Sequence, residues 1–207
     1  MTDMNERGGA RYRDLIKLYR QLHAEGEKNL GLAPENTYPG VSILPHIERI
    51  KHLIEETGSD TVLDYGCGKG QQYEPQIIKL SDGTQCNGLL DYWDVDEVRC
   101  YDPCYEPYQK RPEEEFDGVI CTDVLEHCDE EDLPWIVGDL FAYARRFVFA
   151  SIACYPAKIR LPNGENAHCT VRPAEWWQAL FSASAAKKPG VRFQLALFAR
   201  AASDDPD

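Results

Sequence analysis

Two groups of residues have the types and spacing for chemistry. The first is Asp64-Tyr65-Gly66-Cys67-Gly68-Lys69-Gly70, entered from the apolar run Thr61-Val62-Leu63. A short apolar run of this kind reads as a buried parallel strand. Glycines just beyond it let the backbone turn tightly and approach a ligand closely, because no Cβ stands in the way. A helix opening behind them would aim free N–H groups at the same place. A second acid, Asp102, ends another strand-like run and has the lone pairs to accept hydrogen bonds from both hydroxyls of a ribose diol. It lies 36 residues after Gly66, and Asp91 and Asp94 compete for the role. The usual gap is about 20 residues. The spacing is neither that of a P-loop nor the G-x-G-x-x-G of dinucleotide folds, which disfavours a nicotinamide-dependent dehydrogenase.

The second group is Asp123-x-x-Glu126-His127, with His168 further along the chain. On a helical turn, positions i, i+3 and i+4 share a face, so Asp123, Glu126 and His127 are expected to meet. His168 is expected to join them from the loop after the next strand. Two carboxylates and two imidazoles suit a divalent ion. Without an ion, His127, His168 and Glu126 supply a general base and an orienting carboxylate.

The 61–70 stretch closely resembles the first motif of class I S-adenosylmethionine (AdoMet) methyltransferases, in which an apolar strand ends in Asp or Glu and runs into G-x-G-x-G. The resemblance implies that Asp64 faces the methionine end of AdoMet, that the loop Gly66, Cys67, Gly68 and Gly70 passes beneath it, and that Asp102 and Asp123 flank it. The Asp123-x-x-Glu126-His127 segment is similar to the E-x-x-E-H of two subgroups, the ubiquinone-pathway O-methyltransferases and the small-RNA 3′-terminal 2′-O-methyltransferases. There the acids and histidine bind a divalent ion, which here implies Asp123, Glu126, His127 and His168 as its ligands. In other class I enzymes the same Leu-Glu-His uses no metal, and the histidine positions the cofactor or supports the turn. The expected function is methyl transfer from AdoMet to an O or N acceptor on a small molecule. The alternatives are a non-catalytic AdoMet-binding module and a metal-assisted RNA 2′-O-methyltransferase.

The elements that must hold these residues alternate between helix and strand. Tyr12, Leu15, Ile16, Tyr19 and Leu22 recur at helical spacing, and a second helix is expected from about residue 44 to a cap at Gly58. Strands are expected at 61–65, 97–101, 116–122, 146–152 and 191–198. Helices are expected from 71 to about 80, from a start at the acids 129–131, and over 174–181. Residues 81–96 read as an insertion. The fold expected is α/β: a single doubly wound, mostly parallel sheet with helices on both faces, of the Rossmann-like methyltransferase type, with N-terminal helices added. Residues 1–41 form a helical extension, 42–200 the methyltransferase domain, and 201–207 a disordered tail. Lys69 reads as a solvated cation, and Trp176 and Trp177 as core aromatics.

Composition narrows the partners. The chain has 207 residues, 43% of them hydrophobic, enough for one domain with a sizeable core. A net charge of −13 argues against nucleic acid and against an anionic membrane surface. No apolar run reaches the ~18 residues of a membrane span. Eight cysteines without a C-x-x-C pair read as reduced thiols of a cytoplasmic protein.

Overall fold

The computed structural model describes residues 8–199. The expectations placed on residues 1–7 and 200–207 lie outside the described residues. The framework is a five-stranded sheet in the order β4-β1-β5-β6-β7, with every pairing parallel. Its strands are β1 (Thr61–Tyr65), β4 (Glu97–Tyr101), β5 (Phe116–Thr122), β6 (Ala144–Ala153) and β7 (Arg192–Phe198). Helices are α1 (Ala10–Glu25), α2 (Ile47–Thr57), α3 (Leu89–Trp93), α4 (Leu133–Tyr143) and α5 (Ala174–Ala185).

Alternate strand residues feed two cores, as the period of two requires. Val62, Ile120, Phe147 and Phe149 pack with Ile43, Ile47, Ile50 and Ile54 at α2 and with Leu89 and Trp93 of α3. Leu63, Val119, Cys121, Val148 and Ala150 face the other way, onto Leu133, Ile136, Val137 and Leu140 of α4 and Trp177 and Phe181 of α5. Each fully buried side chain of this size contributes about 1.5–3 kcal/mol relative to exposure. β5 is buried along its whole length, which fits its place between β1 and β6.

The chain goes from β1 to β4 on one side, then returns past β1 to β5, β6 and β7 on the other. Strand order therefore reverses between β1 and β5. The loops leaving their carboxyl ends diverge there and open a crevice. α1 lies across it, joined to the loop after β4 by Arg20 Nε donating to Pro103 O at 3.2 Å, and to the loop after β6 by Tyr19 OH donating to Ala167 O at 2.6 Å. Tyr12 of α1 belongs to the same core as α4 and α5, so no break in packing separates the N-terminal helices from the rest.

Three expectations about elements change. The helix expected after the glycine loop is a single 3-10 turn, Gln71–Tyr73, followed by an antiparallel hairpin of β2 (Ile77–Lys79) and β3 (Gln85–Asn87). Pro75 is the reason: it forces Glu74 to extended backbone (ψ 150°), and β-branched Ile77 and Ile78 then continue as strand. α4 starts at Leu133, with Pro134 in its first turn, rather than at the acids 129–131. The main sheet is wholly parallel rather than mostly so. All eight cysteines are free thiols, and among the described residues no helix is long and apolar enough to cross a membrane.

Candidate functional site

The crevice is a cleft of 610 Å³, within the usual size of small-molecule sites. Gly66, Gly68 and Asp102 line it from the loops after β1 and β4, and Asp123, His127 and His168 from the loops after β5 and β6. Its walls are largely apolar: α1 on one side, the 36–42 segment above, and Ala157 and Ile159 of the loop after β6.

In the loops after β1 and β4, Asp102 secures the glycine loop. Its Oδ2 accepts from Gly68 N at 2.9 Å and its Oδ1 from Cys104 N at 2.7 Å. Burial outweighs these bonds and raises its ionisation to about 6. The glycines are needed for packing as well as turning. Gly66 has φ +85°, and a Cβ there would stand 2.4 Å from Val124 Cγ2. Gly68 has φ +60°, and its Cβ would meet Tyr38 O at 2.4 Å. The loop is thus sealed from above by residues 37–40, with Lys69 N donating to Tyr38 O at 2.9 Å and Gln71 N to Pro39 O at 3.1 Å.

Lys69 is a clamp rather than a solvated cation. Its Nζ lies 2.8 Å from Thr37 O, 3.3 Å from His23 O and 3.1 Å from His23 Nδ1, and sits over the Tyr105 ring. Burial lowers its pKa, against the pull of Asp102. Burial and the Lys69 charge push His23 down to about 4, so its Nδ1 is free to accept.

After β5, Asp123 adopts φ +59°, a left-handed conformation that Asp tolerates better than most residues, with its N–H donating to Ser151 O. Glu126 and His127 follow on the 3-10 turn Leu125–His127. His127 Nδ1 lies 3.0 Å from Ala167 O, and His168 Nδ1 donates to Tyr155 O. A carbonyl only accepts, so both imidazoles carry a proton on Nδ1, and in a neutral ring the lone pair is then on Nε2. Among the described residues no partner reaches His127 Nε2, which is shielded from solvent. The two rings meet edge to face with centroids 4.9 Å apart. Ligand atoms of Asp123, His127 and His168 lie within 4.8 Å of one another. Burial, aided by His168 and opposed by Asp123, lowers His127 to about 4, so the ring is neutral at neutral pH.

The structure thus brings Gly66, Gly68, Asp102, Asp123, His127 and His168 to one cleft and leaves four expected residues out of it. Asp64 does not face the cleft. It lies on the α2 side of the sheet, where Oδ2 accepts from Gln72 Nε2 at 3.0 Å and Tyr73 OH at 2.9 Å, and burial raises it to about 7. Cys67 is buried under the loop and Gly70 backs onto the Tyr108 ring. Glu126 is wholly buried and turns to β6, where Oε1 accepts from Ala153 N. It is no part of the Asp123, His127 and His168 cluster: Asp123 at φ +59° and Val124 at φ −128° stand outside the 3-10 turn, so the helical i, i+3, i+4 register does not run through from 123. Burial first, then the charge of Asp123, raises the ionisation of Glu126 strongly, and Oε2 has no hydrogen-bond partner among the described residues. Asp91 and Asp94 lie away from the cleft. Trp177 is fully buried in the core and Trp176 packs against it, as expected.

Two tyrosines escaped the sequence reading as site residues. Tyr19, read as one of the apolar positions of a helix, has its hydroxyl 3.1 Å from His127 Nδ1 as well as donating to Ala167 O. Tyr38 lies in a Pro- and Gly-containing connection and carries no periodic signal. Comparison with protein-family models, with curated proteins and with solved structures finds no match to this chain.

Proposed function

We propose that this chain is an AdoMet-dependent methyltransferase of the doubly wound, Rossmann-like type, acting on an oxygen or nitrogen acceptor of a small molecule. The observation that carries this reading is the convergence on one cleft of the Gly66–Gly68 backbone with Asp102 and of the neutral His127, its Nε2 unpaired among the described residues, with Asp123 and His168. When bound, AdoMet supplies an electrophilic methyl on its sulfonium. The glycine loop lets the cofactor lie close to the backbone, and the free lone pairs of Asp102 accept from the ribose hydroxyls. The apolar walls and α1 exclude water, which favours a methyl acceptor over hydrolysis. His127, held in one tautomer by Ala167 O, takes the acceptor's proton on Nε2, with His168 beside it. The cleft size and the charge of −13 favour a small acceptor over RNA.

A second reading of the same cluster has a specific observation behind it. Metal-ligating histidines characteristically donate the other ring N–H to a carbonyl, as His127 and His168 both do. Asp123, His127 and His168 therefore fit a divalent ion, which would supply Lewis-acid assistance to deprotonation of an oxygen acceptor.

Incubation with methyl-labelled AdoMet and cell extract, followed by fractionation, should give a labelled small molecule. His127→Gln should reduce the rate by about 10²–10⁴-fold, as loss of a general base does. Failure of the purified protein to bind S-adenosylhomocysteine in calorimetry would overturn the reading. Equilibrium dialysis with Mn²⁺ separates the two versions. In the metal version His168→Ala removes binding and Glu126→Gln does not, whereas no binding by the unaltered protein leaves the general base alone.

A further inference from the structure

Tyr38 is the residue of the cleft whose chemistry is left unused. Its carbonyl is fixed on the glycine loop by Lys69 N, and its neighbour Thr37 is held by Lys69 Nζ. Its backbone stands at φ +52°, a conformation costly for a bulky residue and kept only where the surroundings impose it. The ring is wedged between three others: Tyr19 at 6.0 Å, His127 at 6.0 Å and His23 at 5.2 Å between centroids. Its hydroxyl is shielded from solvent and has no hydrogen-bond partner among the described residues. A buried phenol without a partner costs stability, so its retention in a cleft wall points to a partner that arrives with a ligand.

We infer that the Tyr38 hydroxyl donates a hydrogen bond to the carboxylate of the cofactor's amino-acid moiety. The inference rests on the methyltransferase reading above. With the ribose at Asp102, the amino-acid end extends toward Asp123 and His127, where the Tyr38 ring meets the His127 ring. That moiety is a zwitterion. Asp123 suits its ammonium, and the carboxylate then needs a donor beside an acid. The cation nearest the loop, Lys69, already serves Thr37 O and His23. A phenol carries its proton at neutral pH and so is a donor. The glycine loop, the lid segment and the histidine cluster would then be linked through one side chain. Gly68 must lack a Cβ because the Tyr38 carbonyl occupies that space.

The test pairs one variant with two ligands. Tyr38→Phe keeps the ring and removes only an unbonded hydroxyl, so its melting temperature should equal or exceed that of the unaltered protein. In calorimetry it should bind S-adenosylhomocysteine about tenfold more weakly, the loss expected for a hydrogen bond to a charged group. Its affinity for 5′-methylthioadenosine, which lacks the amino-acid moiety, should stay unchanged. Equal weakening of both ligands would mean a displaced wall and would overturn the inference, as would unchanged binding of S-adenosylhomocysteine. If the unaltered protein binds neither ligand, the methyltransferase reading itself fails.

Discussion

Asp64 and Asp102 are both buried acids at the ends of parallel strands, yet they do different work. Asp102 lines the cleft and ties Gly68 to Cys104, whereas Asp64 ties the 3-10 turn to β1 through Gln72 and Tyr73. Asp64 is the more costly, because Oδ1 has no partner and burial raises its ionisation from 3.8 to about 7. That rise corresponds to roughly 4 kcal/mol. The sign follows from where the proton sits. Below about pH 3.8 the folded and unfolded chains both hold it, and no stability is lost. As pH rises toward 7 the unfolded chain releases it while the folded chain must keep it, and above that the fold carries a buried carboxylate. Asp64→Asn keeps an acceptor for Gln72 and Tyr73 without the charge. Urea unfolding should show it about 2–4 kcal/mol more stable than the unaltered protein at pH 8, a gain that vanishes by pH 4. An equal gain at both pH values would mean that ionisation is not its source. The type and position of both acids were legible in the sequence. Which of them faces the cleft was not, since side chains alternate between sheet faces and position 64 falls on the α2 side.

At the scale of elements, the glycine loop fits the underside of the 37–40 segment and the edge of Val124. A Cβ at Gly66 meets the Val124 side chain, so substitution there disturbs the wall before it reaches any ligand. Gly66→Ala should therefore lower stability by about 1–3 kcal/mol through overpacking and backbone strain. Val124→Ala should recover part of that loss when combined with it, and the two effects should be non-additive by at least about 0.5 kcal/mol. Strict additivity in thermal or urea unfolding would place the clash elsewhere. The loop was readable as a loop because its glycines follow an apolar run. Its cover was not, because residues 33–40 have no period and make their contacts through backbone carbonyls that any sequence provides. Pro75, which ends the helix expected after the glycines, is by contrast a residue whose effect is local.

At the scale of the molecule, α1 closes a cleft that the sheet alone would leave open. Leu15, Tyr19 and Leu22 form a small apolar cluster with Leu161 and Ala167 of the loop after β6, apart from the two main cores. Removing contacts there should loosen the cover without unfolding the sheet. Leu15→Ala is expected to cost about 2–4 kcal/mol. Hydrogen exchange should speed up in α1 and in residues 157–168 while β5, buried throughout, stays protected. Uniform acceleration across β5 would show that α1 and the sheet open as one unit.

The sequence by itself determined the α/β alternation and the five strands of the main sheet, because those follow from local apolar runs and turn residues. It also determined the sites at which chemistry could stand, since the Gly66–Gly70 spacing, Asp102 and the Asp123 to His127 run are short-range patterns. The tertiary structure decided which of those residues share a cleft. His168 reaches His127 across 41 positions of chain, Glu126 turns away on a 3-10 turn, and Tyr38 comes to the site only because Lys69 holds its segment on the loop. The physical reason is that such convergence depends on loop paths and on backbone carbonyls accepting from Lys69, His127 and His168. Neither leaves a mark in residue type or spacing.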